Sequence, residues 1–208
     1  MNVMGLRERN AARTREMIID TALSLFLERG YDATRMEEVA EAAGIGTSTL
    51  YRYFPTKDLL LIEPLAFRGK LVENFRARPA EESLDVALGN ALMELFETPR
   101  IDRERLQRIA DVVDSAPAPR LRLLEEFVKE RTLLEAAIAE RLGRPADDVF
   151  CVMTARSTAA LLEYMAQLTK GFEGDEAAAA KNVRDIFSSV TRKLSEEPPA
   201  LPMFSPLT

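Results

Sequence analysis

Three observations in the sequence predict an all-α protein. Apolar residues recur at three- and four-residue intervals along nearly the whole chain. Alternating β-branched runs are few, and the breaks between periodic stretches carry glycine, proline or a capping side chain. About nine helices are expected, as a small N-terminal three-helix unit joined to a larger helical body.

The first helix is predicted over 12–29. Ile18, Ala22, Leu25 and Phe26 form its stripe, and Ile19, Leu23 and Leu27 widen it. Gly30 supplies the stop, and Tyr31 is expected to pack back on the helix. Upstream, Arg7, Arg9, Arg13 and Arg15 crowd an N-terminal arm that could reach a DNA backbone or minor groove.

Thr34 reads as the N-cap of a second, shorter helix, with Glu37 three residues on completing a capping box. Met36, Val39 and Ala40 give that helix an apolar face. Gly44-Ile45-Gly46 then breaks the pattern, and a third short helix begins near Thr47, carrying Leu50, Tyr51 and Phe54 before Pro55 stops it.

Thr56 can cap the next helix, whose first turn holds Lys57 and Asp58. Leu60, Leu61, Leu65 and Phe67 give it apolar bulk, and Pro64 is expected to bend or divide it. Longer amphipathic helices follow over 81–97, 102–114, 120–142, 145–170 and 175–194, with the APAP stretch at 116–119 and Gly143 as breaks. The expected units are an arm and helix-turn-helix over 1–56, a regulatory and dimerisation domain over 57–195, and a proline-broken tail over 196–208.

Composition narrows the function classes. The 208 residues include no histidine, which excludes Ser-His-Asp and Cys-His catalysis and the usual mixed His/carboxylate metal sites. Neither GxxxxGK[ST] nor GxGxxG occurs, so no catalytic site, cofactor or metal is expected, although carboxylate chemistry with Mg²⁺ stays open. One cysteine, no long apolar run and no signal-like start suggest a cytoplasmic protein. The net charge of −6 argues against a broad polyanion-binding stripe. Residues 1–60 hold eight Lys/Arg against nine Asp/Glu, so only a compact reader of nucleic acid fits.

The sharpest motif is the pair of short helices joined around Gly44. A turn of three or four residues holds such helices crossed and offers the second to a major groove. Its side chains suit that use. Thr47, Ser48 and Thr49 are short donors and acceptors, while Tyr51, Arg52 and Tyr53 reach further. Lys57 and Thr34, each at a helix N-terminus, are candidate phosphate contacts.

Residues 13–60 resemble the DNA-binding domain of the TetR family of bacterial transcriptional regulators. The features that carry the resemblance are Gly30-Tyr31, Thr34, Val39-Ala40, Gly44-Ile45, and Thr49-Leu50-Tyr51 followed by Phe54 and Lys57. Gly46 and Ser48 depart from the family pattern, which often has Ser and Gly at these places. The resemblance implies a homodimer paired through the last two long helices and phosphate contacts from Tyr51 and Lys57. It also implies a pocket in the C-terminal domain, and a repressor released from a palindromic operator by a small-molecule ligand.

Candidate pocket residues are the polar Asn90, Arg156, Glu163 and Tyr164 and the apolar Met93, Phe96 and Phe127, which also read as core. Candidate dimer contacts are Ala155 and Ala159 in a small-residue stretch, with Ile186, Phe187, Val190 and Leu194 on the last helix. These faces could instead complete one subunit's core. An activator, an adaptor or scaffold that has lost DNA recognition, and a carboxylate-based enzyme are the alternatives.

Overall fold

The computed structural model describes residues 5–65, 69–97, 103–168 and 176–197, and every regular element among them is helical. The order is α1 (Leu6–Arg29), α2 (Met36–Ala42), α3 (Thr47–Tyr53), α4 (Leu59–Ile62), a 3-10 turn (Glu63–Leu65) and α5 (Lys70–Arg76). The larger body follows as α6 (Leu84–Glu97), α7 (Arg103–Ser115), α8 (Pro117–Leu142), α9 (Val149–Leu168) and α10 (Glu176–Glu196). Phe67, Lys170, Asp175 and the tail from 198 on lie outside the described residues.

Several boundaries differ from expectation for local reasons. α1 starts at Leu6 because the Glu8 carboxylate takes the Gly5 N–H at 2.9 Å, satisfying a donor of the first turn. Arg7, Arg9 and Arg13 therefore ride on a helix and not on a free arm. α8 begins inside the APAP stretch, since Pro117 at its first position has no N–H to lose there. The predicted helix from 57 divides at Pro64, within the 3-10 turn, as a ring and a missing donor require.

Two apolar clusters hold the molecule together. The first joins α1 to α4 through Ile18, Leu23, Phe26, Val39, Leu50 and Phe54, each buried. It does not end with the N-terminal unit, because Ile109, Val112 and Val113 of α7 and Ala116 belong to it. The second joins α5, α6, α8 and α9 through Leu71, Phe75, Leu92, Leu134, Ile138 and Cys151.

Polar side chains stitch the two regions together. Arg105 of α7 holds Asp20 of α1 through two donors at 2.8 and 2.7 Å. Arg122 of α8 meets Asp58, the residue before α4, at 3.0 Å. Two turns along α8, the buried Glu130 carboxylate accepts from the Gly69 N–H and, at 3.2 Å, from the Val72 N–H, capping the start of α5. Burial pushes the Glu130 carboxyl above its ordinary range, against these N–H groups, which pull it down.

Candidate nucleic-acid interface and an apolar pocket

The turn between α2 and α3 is a complete Schellman closure. Gly44 has φ +65, a left-handed conformation that glycine adopts without side-chain strain. Its N–H reaches the Glu41 carbonyl oxygen at 3.0 Å, and the Ile45 N–H reaches Ala40 O at 3.0 Å. The chain leaves α2 abruptly, and α3 crosses it with Leu50 fully buried. Burying such a leucine stabilises the corner by about 1.5–3 kcal/mol.

Leu50 fixes which side of α3 faces out. Thr47, Ser48, Tyr51 and Arg52 are exposed, while Thr49 and Tyr53 are half-buried. Gly46 occupies the N-cap position and offers no side-chain oxygen, so the donors at the start of α3 have no cap from that residue. The exposed set thus combines short hydroxyls, a phenol and a guanidinium beside uncapped amides, the chemistry that grips phosphate and reads base edges.

Tyr51 is not idle. Its hydroxyl lies 3.3 Å from Glu37 Oε1, on the first turn of α2. Loss of hydration and then the Glu37 charge raise the phenol above its ordinary value, so it stays a donor at neutral pH. Arg52 stacks its guanidinium 5.6 Å from the Tyr53 ring centroid.

One expectation at this face is corrected, and two further side chains make contacts within the chain. Thr34 does not cap α2. Its hydroxyl is buried and donates to Gly30 O at 2.8 Å, while Arg35 takes the cap position and its N–H meets Glu38 Oε2 at 2.7 Å. Lys57 does not sit free at a helix start. Its ammonium donates to Tyr31 O at 2.7 Å and Thr34 O at 3.0 Å, closing the α1–α2 connection onto the approach to α4. Arg15 turns to Glu63 at 3.1 Å and to Tyr53 O at 3.3 Å, tying α1 to the end of α3 and the 3-10 turn.

The body carries an apolar pocket of about 420 Å³ between α6, α9 and α10. Leu84, Leu88 and Leu92 line it from α6, Phe150 and Leu161 from α9, and Phe187 from α10. Thr154, Thr158, Thr191 and Asp85 add its polar atoms, and Gly89 leaves the space that the Phe187 ring faces.

None of the seven predicted pocket residues lines this cavity. Asn90 and Met93 line an adjoining groove, and Phe96 and Phe127 pack on the second apolar cluster. Arg156 is exposed and lies 3.5 Å from Glu135, Tyr164 is exposed, and Glu163 is half-buried. The dimer expectations shift too. Ala155 and Ala159 are buried within one chain, because their small size lets α9 approach its own neighbours. Phe187 turns toward α6, whereas Ile186 and Val190 stay half-buried and Leu194 exposed.

Sequence reasoning missed Asp85, Gly89, Thr158 and Thr191. Only Gly89 carried a signal, as a glycine in mid-helix where a close approach is the usual physical reason.

Among the described residues, no group of His, Cys, Asp and Glu could hold a metal ion, and no helix is long and apolar enough to cross a membrane.

Comparison with known proteins matches residues 18–63 to the family of bacterial regulatory proteins called tetR. The chain is 30% identical over 160 residues to the HTH-type transcriptional regulator TcmR of Streptomyces glaucescens, covering 72% of this chain and 69% of that one. It is 40% identical over 65 residues to the HTH-type transcriptional repressor KstR of Rhodococcus jostii, 31% of each chain. In fold it is similar to SmeT in a complex with triclosan, with a TM-score of 0.58 at 19% identity over 94% of this chain and 99% of that one.

Proposed function

Because the chain belongs to the TetR family of bacterial transcriptional regulators, we propose that it is a homodimeric repressor released from its operator by a small molecule. The observation that carries the DNA-binding part is the locked corner at Gly44, which buries Leu50 and leaves Thr47, Ser48, Tyr51 and Arg52 facing out. Thr47, Ser48, Thr49 and Arg52 are the side chains for the groove, Tyr51 binds phosphate, and Tyr53 and Lys57 hold α3 and its neighbours in place.

Pairing is assigned to α9 and α10. Met153, Tyr164 and Leu168 are exposed on the first and Leu194 on the second, apolar surface that pairing would bury. Two-fold pairing there brings two copies of α3 about 34–36 Å apart, one turn of DNA, and so requires a palindromic or near-palindromic site.

Release follows from the connections already described. A ligand between α6, α9 and α10 presses on α6, which packs on α5 and precedes α7, and α7 holds α1 through Arg105 and Asp20. A shift of α7 turns each reading unit and spoils their joint fit to one DNA face. A few kcal/mol of preference for the unbound arrangement suffices to empty the operator. That SmeT is found with triclosan and that KstR is named a repressor support this reading.

The test is selection of bound fragments from the source genome, followed by titration of the recovered duplex at several salt concentrations. A near-palindromic site whose binding weakens with salt and is lost in a Tyr51→Ala, Arg52→Ala variant is expected. Binding that ignores both substitutions overturns the assignment of α3 as the reading helix, and recovery of no bound fragment sinks the proposal in favour of an adaptor.

A further inference from the structure

The pocket between α6, α9 and α10 restricts the chemistry of what enters it. Its walls are hydrocarbon from Leu88, Leu92, Leu161, Phe150 and Phe187, which suits an apolar body and offers it no polar partner. Of its three threonines, two have their protons already committed. Thr158 donates to Thr154 O at 2.9 Å, and Thr191 donates to Phe187 O at 2.8 Å. What they turn to the cavity is oxygen lone pairs, which accept and do not donate.

Asp85 is the charged residue on this wall. The Ser83 hydroxyl and then the Val86 N–H hold its carboxyl below the usual range, so it is ionised at neutral pH. A carboxylate has about four acceptor positions, and these contacts do not fill them. Among the described residues no cationic side chain lines this pocket: Arg78 and Arg184 line the adjoining groove, and Arg144, 4.9 Å from the Phe150 ring centroid, is paired with Asp148. Arg78 is clamped by both carboxylate oxygens of Glu82, and Arg184 has contacts of its own.

The geometry points to a lipophilic amine as the effector class, its hydrocarbon part against Leu88, Leu92 and Phe187 and its ammonium on Asp85. This rests on the pocket being the effector site. An acid of the same shape would bring its charge to Asp85 with only the Thr154 hydroxyl, among the described residues of the wall, left to donate to it, which opposes binding.

The protein has no tryptophan, so calorimetry is the direct readout. Decylamine, decanol and decanoate, each below its aggregation concentration, are titrated into the full chain. Decylamine should bind at least about tenfold more tightly than decanoate, and Asp85→Asn should narrow that ratio to about threefold or less. Gly89→Leu, checked for its helical circular dichroism, fills the space facing Phe187 and should remove binding of decylamine and decanol alike. Decanoate binding as tightly as decylamine, a ratio untouched by Asp85→Asn, or no binding by any of the three overturns the assignment. Asp85-dependent binding that leaves operator affinity unchanged supports the ligand class and overturns release as the protein's mode of control.

Discussion

Lys57 Nζ lies 2.7 Å from the carbonyl oxygen of Tyr31 and 4.1 Å from the centroid of that residue's own ring. One ammonium thus holds the end of α1 against the approach to α4 by a charged hydrogen bond and a cation–π contact, with Thr34 O as its second acceptor. Loss of hydration lowers the Lys57 pKa, while burial pushes the Tyr31 phenol up to about 12, so the phenol stays protonated at neutral pH.

Lys57→Met should therefore cost stability before it costs affinity. Removing a charged donor from two carbonyl oxygens destabilises by about 1–2 kcal/mol. Urea unfolding followed by circular dichroism measures this, and an unchanged midpoint would return Lys57 to the role of a free phosphate contact.

If Tyr51 binds phosphate as proposed, Glu37, whose Oε1 lies 3.3 Å from its hydroxyl, competes for that donor. Tyr51→Phe should weaken operator binding by about 1 kcal/mol, roughly fivefold. Glu37→Gln should strengthen it, because the phenol is released and a negative charge leaves the face. Fluorescence anisotropy with a labelled operator reads both, and a weaker Glu37→Gln complex contradicts the competition.

Much of the reading corner was legible because its signals are local. Gly44, Leu50 and Pro55 fix the turn, the buried side and the end of α3 within a dozen residues. Thr34 was misplaced because a threonine before a helix has two uses, capping or bonding back, and the choice depends on the Gly30 carbonyl across the turn. The walls of the pocket were not legible, apart from Gly89 in mid-helix. The pocket is assembled from three helices far apart in sequence, and Leu88, Leu161 and Phe187 look like any other core positions until those helices meet. Ala155 and Ala159 show the same gap, since smallness permits close approach without naming the neighbour.

The Arg105–Asp20 pair offers a test of coupling. A double-mutant cycle on Arg105→Ala and Asp20→Ala should give an interaction energy of about 0.5–1 kcal/mol, given how exposed Asp20 is. If α7 carries the signal, Arg105→Ala also reduces the effect of bound ligand on operator affinity. Full ligand response in that variant would direct attention to α5 and α4 as the route.

Glu130 predicts a dependence on pH. Its folded carboxyl is raised above the unfolded value, so folding takes up a proton around it. That contribution favours the fold at low pH and is lost as pH rises from the unfolded value through the raised one. Glu130→Gln removes the titration. Compared with the parent, the variant should gain stability as pH rises above about 4, the unfolded value, read as the difference in urea midpoints. A difference constant with pH, or moving the other way, refutes it.

The apolar side chains of α7 close the underside of the reading unit, as Ile109, Val112 and Val113 lie against Ile18 and its neighbours. Anyone exchanging specificities between such regulators by splicing near residue 60 would strip the transplanted head of its floor and hand it a stranger's. A working chimera from this chain has to carry the stretch from 103 to 116 along with the head, or redesign the seam where the two meet.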